Sequence, residues 1–128
     1  MSSYLLDSNI LMDFFKKRKE AIEVIAELVK KGEISISILS ITELRAGWTE
    51  EQAVFFLSRL YKLVKIKRLT EKIAELAGKF RHEYKLKGVV LPAIDTLIAA
   101  TAIIYECQLV TRNKKDFPMR ELRFYPIK

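Results

Sequence analysis

Apolar and polar positions along the chain fall into two recurring patterns, short extended runs and longer stretches with helical spacing. Tyr4-Leu5-Leu6 is a short apolar run ending at Asp7-Ser8-Asn9, three residues suited to turns and helix caps, so a strand is predicted to hand over to a helix there. Ile10, Leu11, Phe14 and Phe15, followed by Ile22, Ile25, Ala26 and Val29, recur at helical spacing and predict one helix that Gly32 stops. Ile34-Ser35-Ile36-Ser37-Ile38 alternates with period two and reads as a strand, after which Ser40-Ile41-Thr42-Glu43 matches a capping box opening the next helix.

Thr49-Glu50-Glu51-Gln52 repeats that signature ahead of Phe56, Leu57 and Leu60, and Leu63 to Ile66 alternates like a short strand. A further helix is predicted from Thr70 to about Leu86, ended by Gly88. Pro92 suits the first turn of another, which runs to Tyr105 and is apolar on nearly every face, as a central packed helix is. Leu109-Val110-Thr111 gives the last strand. Strands alternating with helices imply an α/β fold, a three-layer α/β/α sandwich around a parallel sheet, with the helix N-termini at one edge of that sheet.

Half of the 128 residues are hydrophobic, enough for one core, and residues 1–128 are expected to form a single domain. Lys and Arg outnumber Asp and Glu by 23 to 16, a formal charge of +7 that favours an anionic partner, nucleic acid first. The lone Cys107 excludes a disulfide within the chain and suits a reducing cytoplasm as a buried, inert thiol. No secretory signal opens the sequence and no apolar run is long enough to cross a bilayer, so no membrane association is expected.

Against this basic background the acids carry the chemistry. Three of the four Asp, with one Glu, fall where a strand hands over to a helix or where a helix begins: Asp7, Glu43, Asp95 and Asp116. Each has an ordinary alternative: Asp7 as a cap, Glu43 as the third residue of a capping box, and Asp116 as the partner of Asn113 in a short turn. The fourth Asp, Asp13, shares a helix face with Asn9 and Lys17 and is expected to be solvated. Asp95 is harder to explain away, because no Lys or Arg occurs between Gly88 and Thr111. A carboxylate on that apolar helix needs a distant salt bridge, a helix N-terminus or a metal ion.

Taken together, the parallel topology brings the four acids to the carboxyl edge of one sheet, where ligands of open parallel sheets bind. An acid cluster on a basic protein calls for a hard cation, and oxygen ligands select magnesium or manganese. Zinc is excluded as a usual site by one His and one Cys. Such ions activate water near neutral pH and stabilise charge on a phosphate, so phosphodiester hydrolysis fits. Lys16-Lys17-Arg18-Lys19, Lys65 to Arg68, and Arg112 with Lys114 and Lys115 are candidates to hold a nucleic-acid backbone, or simply solvated faces, while neighbouring Tyr and Phe are expected in the core.

The segments Leu6-Asp7-Ser8-Asn9, Thr42-Glu43-Leu44, Ile94-Asp95-Thr96-Leu97-Ile98-Ala99 and Thr111-Arg112-Asn113-Lys114-Lys115-Asp116-Phe117 resemble the PIN-domain nucleases, VapC-type toxins above all, over essentially the whole chain. That resemblance implies a PIN fold, Mg2+- or Mn2+-dependent endoribonuclease activity, an RNA substrate, a cognate VapB-type antitoxin and a homodimer. By position Asp7, Glu43, Asp95 and Asp116 match the family's acids, and Ser8, Asn9, Thr111 and Asn113 are candidates to support them from behind. Ser8 stands where Thr is often found, and either hydroxyl can serve. The alternative is a PIN-like RNA-binding subunit of a processing complex that has lost catalysis, which leaves four intact acids without a purpose.

Overall fold

The computed structural model describes residues 2–127. Its elements run β1 (Ser2–Leu6), α1 (Ser8–Phe15), α2 (Lys19–Lys31), β2 (Gly32–Ser37), α3 (Ile38–Ala46), α4 (Glu50–Leu63), β3 (Lys65–Lys67), α5 (Glu71–Leu86), α6 (Ala93–Ile104) and β4 (Gln108–Val110), with a closing 3-10 turn at Lys114–Asp116. The strands form one parallel sheet in the order β3-β2-β1-β4, in register as Tyr4 with Ile34 and Leu6 with Val110. Beyond β4, Leu109 bridges in parallel to Phe124, so the last segment extends the sheet edge.

Strand side chains alternate between two faces, and the core divides accordingly. Tyr4, Leu6, Ile34, Ile36 and Val110 pack with Ile10, Leu11, Ile25, Leu28, Leu44 and Leu60, which puts α1 to α4 on one face. Leu5 and Leu109 pack with Phe80, Ile98, Ala99 and Ala102, which puts α5 and α6 on the other. The expected three-layer α/β/α architecture is therefore the observed one. Within α6, Thr96, Ile98, Ala99, Ala100, Thr101 and Ala102 are all buried, as its apolar sequence requires.

Several expectations need correction. The single helix expected from Ile10 to Val29 is two, because Lys17 turns into the left-handed region at φ 61° and closes α1 before α2 begins. Four consecutive cations at Lys16 to Lys19 disfavour one continuous turn through that point. The successions of α3 by α4 and of α5 by α6 are as expected, so α2 following α1 is the one added. The capping box at Ser40 and Glu43 is absent: Ser37 caps α3, its hydroxyl accepting from Leu39 N at 3.1 Å, and Ser40 lies buried in the helix with no hydrogen-bond partner among the described residues. The Thr49–Gln52 capping box and the Thr70 cap do form.

Gly32 ends α2 through its N–H to Leu28 O and also opens β2. A side chain is forbidden there by packing: a Cβ would lie 2.0 Å from the backbone oxygen of Ser2 in the neighbouring strand. Gly32→Ala is therefore expected to destabilise the fold by on the order of 3 kcal/mol, the upper end for overpacking, measured as a shift in the denaturation midpoint. A change below 0.5 kcal/mol would mean that β1 and β2 are not paired as described.

Candidate active site

β1 and β4 lie side by side, and the chain leaves both at the same edge. Asp7 follows β1 directly, its N–H bonded to Val110 O at 2.9 Å, and Thr111 follows β4. Asp7 is the N-cap of α1, with Oδ1 accepting from Ser8 N at 2.9 Å. Its other oxygen accepts from the Thr111 hydroxyl at 2.8 Å and from Asn9 Nδ2 at 3.3 Å. Thr111 in turn accepts from Asn113 N at 3.0 Å, so Asn113 contributes its backbone, and its side chain is exposed. Ser8 turns the other way and donates to Glu43 Oε1 at 3.1 Å, joining α1 to α3.

Glu43 is thus not a capping residue: it sits in the interior of α3 and faces Ser8. Asp95 stands in the first turn of α6, and Asp116 ends the 3-10 turn beyond β4. The four acids feel one another's charge. Burial raises the Asp95 carboxyl above its ordinary range, and Asp116, Asp7 and Glu43 each push it further up. Burial likewise raises Asp7, which the Thr111 and Ser8 hydrogen bonds partly offset and Asp116 reinforces. Glu43 is raised by burial and by Asp7, against the Ser8 hydrogen bond.

Among the described residues none of these four acids forms an ion pair, so the salt bridge that could have explained Asp95 is not there. Asn9 Oδ1, beside Asp7, is also buried without a hydrogen-bond donor. The cluster is therefore rich in acceptors and short of positive charge. Its carboxylates do not close into a cage, since among the described residues no three acid, His or Cys side chains are set to hold an ion as they stand. A donor set of this kind fits magnesium or manganese that keeps several of its waters, because small hard cations take one or two carboxylates and remain partly hydrated.

The basic segments separate on the same footing. Lys65 and Lys67 are both tied to Glu33 at 3.1 Å and brace the sheet. Lys19 faces Glu23, whereas Arg112 and Arg18 converge on Asp13, which is largely buried and paired rather than solvated as expected. No i,i+3 or i,i+4 spacing signals that pairing, because Arg18 lies five residues on, past the break at Lys17, and Arg112 lies near the other end of the chain. The aromatics depart from expectation in part: Phe15, Trp48 and Phe56 cluster half-buried, but Phe55 is 50% exposed beneath the Arg59 guanidinium. Cys107 is buried and free, its thiol pushed up by burial, and His82 is exposed on α5.

An open parallel sheet with acids gathered at its carboxyl edge defines an α/β protein that takes its ligand at that edge. The PIN domain pattern matches residues 4–123. The chain is 35% identical over 120 residues to the ribonuclease VapC19 of Mycobacterium tuberculosis, covering 90% of this chain and 92% of that one. It superposes on VapBC2 from Rickettsia felis bound to a promoter DNA fragment with a TM-score of 0.85 at 28% identity, over 96% of this chain and 97% of that one. A toxin–antitoxin complex from Klebsiella pneumoniae gives a TM-score of 0.74 at 29% identity, over 97% and 99%. The chain belongs to the PIN-domain family and, within it, to the VapC group.

Proposed function

We propose that the protein is an endoribonuclease that hydrolyses RNA phosphodiester bonds with magnesium or manganese and is the toxin of a toxin–antitoxin pair. The observation that carries this reading is a set of four acids with no ion-pair partner among the described residues, three of them raised by burial and by neighbouring acids, on a chain of net charge +7 whose relative is a ribonuclease. A non-catalytic subunit would have no use for that uncompensated charge. Asp7, Glu43, Asp95 and Asp116 would hold the ion, one or two of them directly and the others through its waters. When bound, such an ion acidifies water and neutralises charge developing on the phosphate. Thr111 and Asn9 fix the rotamer of Asp7, Ser8 fixes Glu43, and the Asn113 N–H fixes Thr111. Partial burial of Asp7 and Asp95 strengthens each electrostatic contact.

The likeness to VapBC2 and to the toxin–antitoxin complex supports a VapB-type antitoxin as the partner, and a homodimer is part of the same proposal. A cytoplasmic setting agrees with the free Cys107 and with the lack, among the described residues, of a helix long and apolar enough to cross a membrane. The test is direct. Purified protein is expected to cut single-stranded RNA with Mg2+ or Mn2+ and to stop in excess chelator, and its expression without antitoxin is expected to arrest growth. Cutting undiminished by chelator would remove the metal from the mechanism. A folded protein that cuts no RNA with either ion would remove the ribonuclease reading.

A further inference from the structure

Beside the acid cluster lies a second arrangement that the four acids do not account for. Asp13, on the helix that Asp7 caps, has a side chain only 14% exposed and is flanked by two arginines. Arg112 Nε lies 3.0 Å from its Oδ2 and Arg18 Nε 3.9 Å from its Oδ1. A cleft of about 470 Å³ opens here, lined by Asp13, Arg18, Glu20, Arg112 and Lys114, with Thr111 as its shared wall with the acid site. Lys114 is held over the Phe124 ring at 5.3 Å.

Both ends of the Asp13–Arg112 pair belong to elements that also build the acid site. Asp13 follows Asp7 along α1 by six residues, roughly 9 Å of helix at 1.5 Å per residue. Arg112 follows Thr111, whose hydroxyl donates to Asp7. The guanidinium is thus set at a fixed offset from the acids, and its side chain is still 57% exposed. Nε is engaged with Asp13, which leaves the terminal amino groups, the ones that fork onto phosphate oxygens, outside that ion pair in a side chain that lines the cleft. An arginine already held in place loses less side-chain freedom when it binds. The cleft also supplies what the acid site lacks, since four carboxylates repel an RNA backbone that Arg18, Arg112 and Lys114 attract, offset in part by Asp13 and Glu20.

We propose that Arg112, braced by Asp13, grips the RNA phosphate adjoining the one that is cut, and that Asp13 is its positioning residue. This rests on the ribonuclease reading above and adds to it how the strand is set in register. Binding of a fluorescent single-stranded RNA oligonucleotide, followed by anisotropy in chelator over a salt series, is compared with kcat and KM for its cleavage in Mg2+. Arg112→Gln is expected to raise Kd and KM about tenfold, to lower kcat several-fold because the strand loses its register, and to flatten the log Kd against log salt slope by about 0.7, one single-strand phosphate contact. Arg112→Lys should restore the slope and only part of the affinity, because a lysine is not held by Asp13 in the same geometry. Asp13→Asn should bind as tightly as the parent or tighter, having lost a negative charge, yet cleave several-fold more slowly. Arg120→Gln, outside the cleft, gives the effect of losing one cation elsewhere.

A parent that cuts RNA while Arg112→Gln matches it in Kd, KM and salt slope, or is no worse than Arg120→Gln, overturns the grip and leaves the ribonuclease reading standing. Asp13→Asn losing affinity together with melting temperature would reduce the pair to a structural tie and equally overturn the proposal. A parent that neither binds nor cuts RNA would overturn both readings.

Discussion

Asp7→Asn is expected to lower kcat for RNA cleavage by about a thousandfold while the protein remains folded and KM moves little. The size follows from what an ion at this site contributes, several kcal/mol of charge stabilisation in the transition state, at about 1.36 kcal/mol per tenfold in rate. Asn preserves the other job the residue performs. As an N-cap it equals Asp, and its side-chain oxygen can still accept the Ser8 N–H. Its amide faces the Thr111 hydroxyl, which can turn from donor to acceptor. Were Asp7 only a cap, activity would survive, and a loss of less than tenfold would assign it that role. Circular dichroism and the thermal midpoint, both expected near the parent's, separate lost chemistry from lost structure. Asp7→Ala, which removes cap and charge alike, should also abolish growth arrest but melt earlier by the cap's share, on the order of 1 kcal/mol.

How much of this was legible beforehand depended on how local each signal was. The period-two strand at Ile34 to Ser37 and the apolar α6 announced themselves because burial on one or all faces is written directly into residue spacing. Asp7 and Asp95 were legible for a related reason: one follows a strand and the other opens a helix, points that share an edge in a parallel sheet, whereas Glu43 lies inside α3 and Asp116 ends a 3-10 turn beyond β4. The register of α3 was not legible, because Ser37 and Ser40 both suit a cap and the choice is made by how far β2 runs beside β3, with which Ser37 pairs through Lys67. That three-residue shift matters chemically. It moves Glu43 off the cap position, so that the side chain is free to meet Ser8. The break at Lys17 was hidden because a lysine in the left-handed region carries no sequence mark of the kind glycine does. Asp13 looked solvated because its partners Arg18 and Arg112 lie beyond that break and at the far end of the chain.

Replacing Asp95 by Asn separates an ion-binding acid from a structural one through the sign of its effect on metal-free stability. In the folded, metal-free protein the Asp95 carboxyl titrates above its ordinary value of 3.8, through burial first and then the charges of Asp116, Asp7 and Glu43. A raised folded-state value means that the fold binds this proton more tightly than the unfolded chain does. The resulting stabilisation is fully present below pH 3.8 and is lost as pH rises through the folded value. Once ionised, the group therefore strains the parent, and Asp95→Asn should melt at the same temperature or higher, its advantage growing as pH rises from 3.8 through the raised folded value. Magnesium reverses the order. Binding to the folded state alone contributes RT ln(1 + [L]/Kd), about 2.7 kcal/mol at a hundredfold excess over Kd, and the parent should gain more of this than the variant. Cleavage by the variant should fall steeply at the same time. Should Asp95→Asn instead lower metal-free stability by on the order of 3 kcal/mol, as breaking a buried ion pair does, with the magnesium response intact, Asp95 would be a structural residue and the ion would rest on the other three acids.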